Sequence, residues 1–360
     1  MVDEASTTDD ATTDADRERV ERVQVSTAYG SGPEGGNSAW VLPDSGIVVD
    51  PGPPGDVAFE SLRSGLEKAG TGLEGTSRVL VTHWHVDHAG LAPRLAEAAD
   101  ATLHIHEHDA PLVADYAVER ERRVDRDAAA LSRWGVPDEH VASLREADSP
   151  SPMPDSTPVY ELSAGDAVGP LSVVETPGHT AGHVAFSLTA GADGSAADSR
   201  VVVGDAVLRT VTPNVGGGDT RQETPLAAYR TALDRLAGEG WRALPGHGTA
   251  FDLAPRLAEL RAHHRERAGL VADSLAELAI AADDTDDDDR GVTPWVVARD
   301  RFGDMTGYHV KFGAGEAFAH LQDLAALGVA ERVADDPIRF RARDVADVSG
   351  RIDDAWRREH

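Results

Sequence analysis

The sequence predicts an α/β protein whose strands end in metal-ligand residues. Short apolar runs typical of buried strands recur along the chain and alternate with segments of helical spacing. Four of these runs lead directly into a His or an Asp, and they lie at residues 79–81, 171–175, 200–205 and 241–247. Isolated buried His or Asp residues are commonly structural. Four strand ends with ligand chemistry instead indicate that the strands converge on one site.

The length and apolar content favour two domains. The chain has 360 residues, of which 41% are hydrophobic, enough for ordinary buried cores. Residues 1–19 are rich in Asp, Thr, Ser and Ala, and we expect them to form a disordered acidic leader. A catalytic domain is predicted over residues 20–258 and a C-terminal domain over residues 259–360. Early strands are predicted at 23–25, 39–42 and 46–50, followed by a helix at 57–69.

The charge of the chain is strongly acidic. Sixty-three Asp and Glu stand against thirty-four Lys and Arg, for a net charge of −29, and Lys occurs only at Lys68 and Lys311. In dilute salt such a surface repels nucleic-acid phosphates. The composition resembles that of proteins from salt-loving archaea, whose acidic surfaces suit a salty solvent. Net charge therefore says little about the partners of this chain.

Cysteine usage and hydropathy limit the site and the compartment. The chain has no Cys, so metal ligands must be imidazole or carboxylate. No apolar run approaches the roughly 18 residues of a membrane span. The N-terminus is acidic where a signal peptide would be basic and then apolar. We therefore expect a soluble cytoplasmic protein without a membrane partner.

The first candidate site is His83-x-His85-x-Asp87-His88, directly after the strand at residues 79–81. Two His residues two positions apart can point the same way from an extended backbone. Asp87 and His88 are adjacent, so their side chains diverge and suit a second ion beside the first. Four ligand-type residues within six positions are improbable in an ordinary solvated loop.

The remaining candidates lie at the later strand ends. His83, His85 and His179 form a candidate set for one ion, Asp87, His88 and His247 for another, and Asp205 can bridge both through its two oxygens. A bridging carboxylate leaves room for a shared water, and Zn²⁺ lowers the pKa of such a water toward about 7. The resulting bridging hydroxide is the expected nucleophile. Asp87 and Asp205 are the predicted catalytic carboxylates, because Asp87 can orient that water and accept its proton.

This ordered ligand set resembles the complete dinuclear set of the metallo-β-lactamase fold superfamily, over roughly residues 20–258. The resemblance implies a four-layered αββα sandwich with the metals at one edge. It also implies that Asp50 supports ligands without binding metal, and that His183 contacts either the substrate or other site residues. The largest lactamase subclass uses Cys where this chain has Asp205. Flavodiiron oxidoreductases carry Glu in place of His85, whereas glyoxalase II shares the whole ligand set.

Two further segments have open interpretations. His104, His106 and His108 alternate on a predicted strand at residues 102–107, and His106 is the member to examine as an extra ligand, although surface strand ends often carry His. The charged helical segment at residues 109–147 is either a substrate lid or a solvated decoration.

The C-terminal hundred residues resemble a winged helix. Helices are predicted at 257–280, 293–301 and 315–327, followed by a hairpin of 329–333 with 338–343, and an acidic loop at 283–289 separates the first two helices. This order resembles the domain appended in the lactamase-like endoribonuclease branch. Arg339, Arg341 and Arg343 alternate and could meet phosphates from one face. Acidic residues on the second and third helices oppose that role, so packing or homodimer formation is the favoured interpretation.

The expected activity is hydrolysis of an ester, thioester or phosphodiester with two Zn²⁺, or with Fe or Mn in their place. A small-molecule ester or thioester and RNA are the two substrate classes left open. An iron-dependent sulfur dioxygenase is the alternative of a different class, because it resembles this fold and uses part of the same ligand set. Substrate identity is not predicted, since specificity lies in loops.

Overall fold

The computed structural model describes residues 18–26, 34–188, 199–238, 240–283 and 291–357. The predicted acidic leader, apart from residues 18 and 19, and the acidic segment 284–289 lie outside this described part of the chain. Within it, no helix combines the length and the apolar character needed to cross a bilayer.

Two six-stranded sheets form the centre of the fold. In the first sheet β1 to β3 pair antiparallel and β3 to β6 pair parallel, in chain order. In the second sheet the order is also sequential, and β10 and β11 are its parallel pair. The strands of the first sheet are β1 Glu21–Val25, β2 Asn37–Leu42, β3 Ile47–Val49, β4 Arg78–Val81, β5 Thr102–His106 and β6 Tyr160–Leu162. Those of the second are β7 Ala167–Val168, β8 Leu171–Glu175, β9 Val184–Leu188, β10 Arg200–Gly204, β11 Arg242–Pro245 and β12 Phe251–Asp252.

The sheets pack against each other through one apolar cluster, which includes Trp40 and Leu80 from the first sheet and Phe186 and Leu244 from the second. Because successive side chains of a strand point to opposite faces, neighbouring residues such as Val79 and Val81 face outward and need a second cover. Helices provide that cover on both sides. The predicted four-layered αββα architecture is therefore confirmed.

The outer layers are amphipathic helices. On the first sheet lie α1 Asp56–Ala69 and α3 Ala92–Ala99, and on the second lie α7 Pro225–Arg235 and the start of α8 Leu253–Asp283. Leu62 and Leu66 of α1 are fully buried at helical spacing, as are Tyr229 and Leu233 of α7. Such stripes are what the helical spacing in the sequence predicts.

The predicted helical insertion between β5 and β6 is present. It consists of α4 Pro111–Ala114, α5 Tyr116–Arg133 and α6 Asp138–Ala147. Leu131 and Trp134 anchor it, and both belong to the apolar cluster that covers the second sheet. The insertion is therefore packed against the body of the protein and is not an isolated solvated arm.

The C-terminal region has the predicted order of helices and hairpin. After α8 come α9 Pro294–Phe302, α10 Tyr308–Ala326, β13 Ala330–Asp335, β14 Ile338–Ala342 and α11 Val348–Trp356. The Thr293 hydroxyl caps α9 by accepting a hydrogen bond from the backbone N–H of Val296. The winged-helix interpretation stays a prediction. The boundary predicted between residues 258 and 259 lies within α8, which runs without interruption from Leu253.

Helix α10 begins at Tyr308, earlier than the predicted start at Gly315. Gly315 lies inside the helix. A larger residue does not fit there, because its Cβ would lie 2.4 Å from the Cα of Gly217 and 2.6 Å from the carbonyl oxygen of Gly216. The glycine marks close approach of two backbones and not a helix end. This tertiary requirement is invisible to local helix signals.

The C-terminal helices share a core with the second sheet. Phe318 of α10 stacks on Trp134 of the insertion with ring centroids 5.2 Å apart. Both rings lie in the cluster that also contains Val201 of β10 and Ala243 of β11. The C-terminal region is thus built into the sandwich, in line with the favoured packing interpretation.

Candidate metal centre

The structure brings all seven predicted ligands to one edge of the sandwich. Strand β4 ends in the loop of His83 and His85, and the short helix α2 Val86–Ala89 that follows carries Asp87 and His88. The other three ligands follow strands of the second sheet, and they are His179 in the β8–β9 loop, Asp205 after β10 and His247 after β11. Convergence of the strand ends, inferred from their repetition, is therefore observed.

One group of three imidazoles surrounds a common point. The Nδ1 atom of His85 lies 3.1 Å from Nε2 of His83 and 3.0 Å from Nε2 of His179. Two Zn–N bonds of about 2.1 Å at a tetrahedral angle separate the nitrogens by about 3.4 Å. Both distances from His85 are therefore slightly shorter than a tetrahedral Zn²⁺ would hold them, and small outward shifts would admit the ion.

The second group lies beside the first. Nε2 of His247 is 3.3 Å from Oδ2 of Asp87, and Nε2 of His88 is 3.6 Å from the same oxygen. The two oxygens of Asp205 face both groups, with Oδ1 3.4 Å from His88 Nε2 and Oδ2 3.9 Å from His179 Nε2. This places Asp205 where a bridging ligand would stand.

Two unpartnered atoms support a cation at this position. Nε2 of His88 and Oδ1 of Asp205 are both buried and lie 3.4 Å apart, and neither makes a hydrogen bond. A buried polar atom without a partner is costly, and native structures usually satisfy it. An imidazole nitrogen and a carboxylate oxygen are good Zn²⁺ ligands, so the residues present fit a divalent cation.

Charges within the site divide the histidines into two sets. Burial and neighbouring imidazoles hold the pKa of His83 well below its usual value, and burial lowers the pKa of His85 to about 3. Burial also opposes the charged forms of His88 and His247, but nearby carboxylates, chiefly that of Asp205, outweigh it. The pKa of His88 therefore lies well above its usual value and that of His247 rises to about 9. Metal binding would displace the protons held by that second set.

Asp50 lies behind the ligands and contacts them through one oxygen and a neighbouring hydroxyl. Its Oδ2 atom lies 3.0 Å from Nδ1 of His88 and accepts a hydrogen bond from the Thr82 hydroxyl at 2.7 Å. That hydroxyl lies 3.0 Å from Nδ1 of His83. The φ of Asp50 is 52°, a left-handed conformation that Asp tolerates better than most residues. One buried carboxylate therefore orients a ligand in each metal group.

His183 lies behind the ligands and not in the pocket. It is 1% exposed, its Nδ1 lies 2.7 Å from the Thr176 hydroxyl, and its Nε2 accepts a hydrogen bond from the backbone N–H of Asp205 at 3.2 Å. Burial and the neighbouring imidazoles keep its pKa well below the usual value, consistent with an accepting nitrogen. Of the two roles considered for His183, support of a ligand fits these contacts and substrate contact does not.

His106 lies apart from the two ligand groups. It is buried, with Nε2 3.4 Å from Oε1 of Glu175. Within the described residues, the groups of three or more metal-type side chains contain only the seven predicted ligands. His106 is therefore better interpreted as an ordinary histidine at a strand end than as an extra metal ligand.

Sequence reasoning missed several residues that hold the ligand loops. The carbonyl oxygen of Asn214 lies 3.0 Å from Nδ1 of His179, and the Asn37 amide donates to the carbonyl oxygen of Asp87 at 2.8 Å. Gly204, with φ 49°, makes the turn that presents Asp205. Unlike the two asparagines, this glycine is predicted by the sequence, because a glycine directly beside a candidate ligand permits a tight backbone turn.

A buried ion-pair network also ties the two ligand loops together. Asp109 accepts hydrogen bonds from the Trp84 backbone N–H at 3.2 Å and from the Gly182 backbone N–H at 2.9 Å. Arg221 pairs with Asp109 and with Asp219. Because Trp84 lies between two ligands and Gly182 follows His179, Asp109 fixes the loops relative to each other. The sequence around Asp109 does not indicate this role.

A pocket of about 540 Å³ opens beside the ligands. Its floor includes His85, Asp87, His179 and Asp205. Its walls come mainly from the helical insertion and from α10, with Trp84 added from the loop after β4. Most of the wall surface is aromatic or apolar, and the other side chains of this kind include Leu112, Tyr116, Met153, Tyr308 and Phe312. The C-terminal region therefore forms part of the pocket.

The fold is that of one protein superfamily. Residues 31–247 match the family profile of the metallo-beta-lactamase superfamily, and the chain belongs to that superfamily.

Individual relatives are distant in sequence. The chain is 27% identical over 229 residues to the probable metallo-hydrolase YqjP of Bacillus subtilis (strain 168), covering 61% of this chain and 68% of YqjP. Metallo-beta-lactamase family protein TTHA1429 of Thermus thermophilus superposes with a TM-score of 0.68 at 27% identity, over 90% of this chain and 98% of that one. A beta-lactamase domain protein from Burkholderia ambifaria superposes with a TM-score of 0.66 at 25% identity, over 90% of this chain and 91% of that one. These two similarities extend past residue 247 into the C-terminal region.

Proposed function

We propose that the protein is a dinuclear zinc-dependent hydrolase that cleaves a small-molecule ester or thioester. The observation that carries the proposal is the pocket of about 540 Å³ whose floor is formed by four of the seven candidate ligands. Ligand pockets for small molecules commonly have volumes of about 300–1,000 Å³ and mostly apolar walls. The probable metallo-hydrolase among the relatives supports the same class of reaction.

The donor set suits two cations. Imidazole and carboxylate donors suit Zn²⁺ and also Fe or Mn, and the oxygens of Asp205 face both groups of imidazoles. Two divalent cations would supply a water of lowered pKa as nucleophile and would polarise the carbonyl of the substrate. Asp87 would accept or orient a proton, since its carboxylate is the most exposed of the ligand carboxylates and faces the pocket.

The shape of the pocket favours a small molecule over RNA. Side chains of the insertion and α10 surround the pocket on more than one side, whereas an RNA strand needs an open groove along which its backbone can run. On the predicted wing, Arg339 donates to the carbonyl oxygen of Gly291 at 3.0 Å, and Arg343 lies 3.7 Å from Glu331. RNA cleavage, sulfur dioxygenase activity and homodimer formation stay predictions to be tested.

A substrate screen combined with metal analysis tests this proposal. The purified chain, in molar KCl, is assayed against generic thioesters and esters, bis-(p-nitrophenyl) phosphate and single-stranded RNA, and its metal content is measured. We expect two Zn per chain and hydrolysis of an ester or thioester that is lost in Asp205→Ala. One Fe per chain with oxygen uptake, or RNA cleavage alone, would contradict the proposal.

A further inference from the structure

The pocket wall also contains a row of charged residues, carried by the same two helices, α5 and α10, as several of its aromatic side chains. Arg120 and Arg123 of the insertion and Lys311 of α10 line the pocket together with Asp148. Asp148 pairs with both arginines, and Asp127, behind the wall, pairs with Arg123 at 3.1 Å and with Lys311 at 2.7 Å. The row therefore has three cations against two carboxylates and an excess of one positive charge.

This excess is unusual for the chain. The net charge of the whole sequence is −29, and one of its two lysines, Lys311, is 7% exposed in this row. Burying a charged side chain costs free energy unless opposite charges and hydrogen bonds compensate the loss of hydration. A purely structural ion-pair row could have balanced charges, so the third cation suggests that the row recognises an anionic ligand.

Arg120 retains capacity to bind such an anion. Both of its contacts with Asp148 use Nη2, its Nη1 makes no hydrogen bond among the described residues, and the side chain is 19% exposed. A guanidinium has five N–H donors in a planar fork that matches a carboxylate. Arg123 is held in place by two carboxylates and lies 5.7 Å from the ring centroid of Trp84.

We propose, on the basis of the hydrolase function proposed above, that the substrate carries a carboxylate away from its scissile bond and that Arg120, supported by Arg123 and Lys311, binds it. The aromatic side chains of Tyr116, Tyr308 and Phe312 contact the hydrocarbon between the carboxylate and the scissile bond. Hydrolysis adds water across that bond, with the hydroxyl going to the acyl carbon and the hydrogen to the leaving alcohol or thiol. The carboxylate belongs to either the acyl part or the leaving group.

Three matched esters distinguish a carboxylate on the acyl part of the substrate from one on the leaving group. They are p-nitrophenyl hexanoate, which is neutral, mono-p-nitrophenyl adipate, with the carboxylate on the acyl part, and 4-hexanoyloxy-3-nitrobenzoate, with it on the leaving group. We expect kcat/KM of the metal-loaded full-length enzyme, corrected for uncatalysed rates, to be about tenfold higher for one charged ester than for the neutral one, as for a hydrogen bond to a charged group.

Variants on α5 assign the preference to Arg120. In Arg120→Gln the preferred charged ester should lose about tenfold in kcat/KM, mainly through KM, while the neutral ester is unaffected. Asp148 keeps its pair with Arg123 in this variant, so the wall should stay folded. Arg122→Gln is the matched control, because Arg122 is on the same helix and its contact with Glu119 is at the surface.

The outcomes separate this inference from the proposed function. Equal rates for the three esters, or parallel losses for charged and neutral esters in Arg120→Gln, would overturn the carboxylate site and leave the hydrolase intact. If no ester is cleaved, the proposed hydrolase function is wrong. Calorimetry on the metal-loaded chain then tests the carboxylate site by itself. 4-Phenylbutyrate should bind about tenfold more weakly to Arg120→Gln than to the parent chain, whereas 4-phenylbutanol should not distinguish them. Equal binding of 4-phenylbutyrate to both proteins would overturn the site.

Discussion

Two buried histidine clusters in the described part of the chain differ in their surroundings. The first is the candidate metal centre at the sandwich edge. The second, the C-terminal histidine cluster, consists of His264 of α8, His320 of α10 and Trp356 of α11, with the rings of His264 and Trp356 stacked 5.3 Å apart. No ring nitrogen of His264 or His320 makes a hydrogen bond, and burial lowers the pKa of His320 to about 3.

The difference shows that burial of histidine does not by itself make a metal site. At the metal centre, His83, His88 and His179 each have one nitrogen beside an oriented oxygen and the other beside further ligands. Within the described residues, no group of potential metal ligands includes His264 or His320. Convergent carboxylates and supporting hydrogen bonds are what distinguish the candidate centre.

Asp205→Ala should have the largest effect on the metal centre. Removal of the residue whose oxygens face both groups should lower kcat/KM by about a thousandfold or more, since metal ions contribute several kcal/mol to charge stabilisation. Metal content should fall below that of the parent chain. Asp252→Ala removes an exposed carboxylate from β12 and should change neither value.

Thr82→Val tests the supporting hydrogen bonds at nearly constant volume. It removes the hydroxyl that donates to Asp50 and faces His83. Loss of such a partner typically costs about 10–100-fold in metal affinity. Competition with a chelator measures the affinity, and Thr102→Val on the neighbouring strand is the control. Unchanged affinity would mean that Asp50 orients the ligands without this hydroxyl.

Gly315→Ala tests the connection between the C-terminal region and the metal centre. The new Cβ would clash with the backbone of Gly216 and Gly217, in the loop whose Asn214 carbonyl faces His179. We expect the free energy of unfolding to fall by about 1–3 kcal/mol and metal affinity to weaken as well. Gly269→Ala on α8 has no atom within 4 Å of the added Cβ, so denaturant unfolding should show no loss of stability. A stability loss without weaker metal binding would break the proposed connection.

His320→Phe should have the smallest effect on the candidate metal centre, because its effect is confined to acid stability. The folded-state pKa of His320 is lowered to about 3, below the unfolded value of about 6.5. The unfolded chain therefore binds more protons between these values, and stability is lost as the pH falls through that window, by up to about 1.4 kcal/mol per pH unit. The variant should lose less stability than the parent between pH 6 and 4, with unchanged metal content. His309→Phe, at an exposed position on α10, should follow the parent.

The seven ligand positions and the helical insertion could be predicted because their signals are local. A strand of Val and Leu followed by His or Asp specifies both the element and the chemistry at its end. Thr82 lies directly before the first motif, yet its role depends on Asp50, which follows the neighbouring strand β3. Asp109, Asn37 and Asn214 were missed because their partners are distant in sequence and their residue types are common in loops.

The sequence by itself determined which donors the protein offers and the order of the elements that carry them, since these follow from short-range periodicity and residue chemistry. The tertiary structure decided that α10 closes the pocket, that Gly315 sits inside a helix and that Arg120, Arg123 and Lys311 form one row. Such relations depend on the packing of segments far apart in the chain. Periodicity states which face of a segment is buried, but not which other segment covers it.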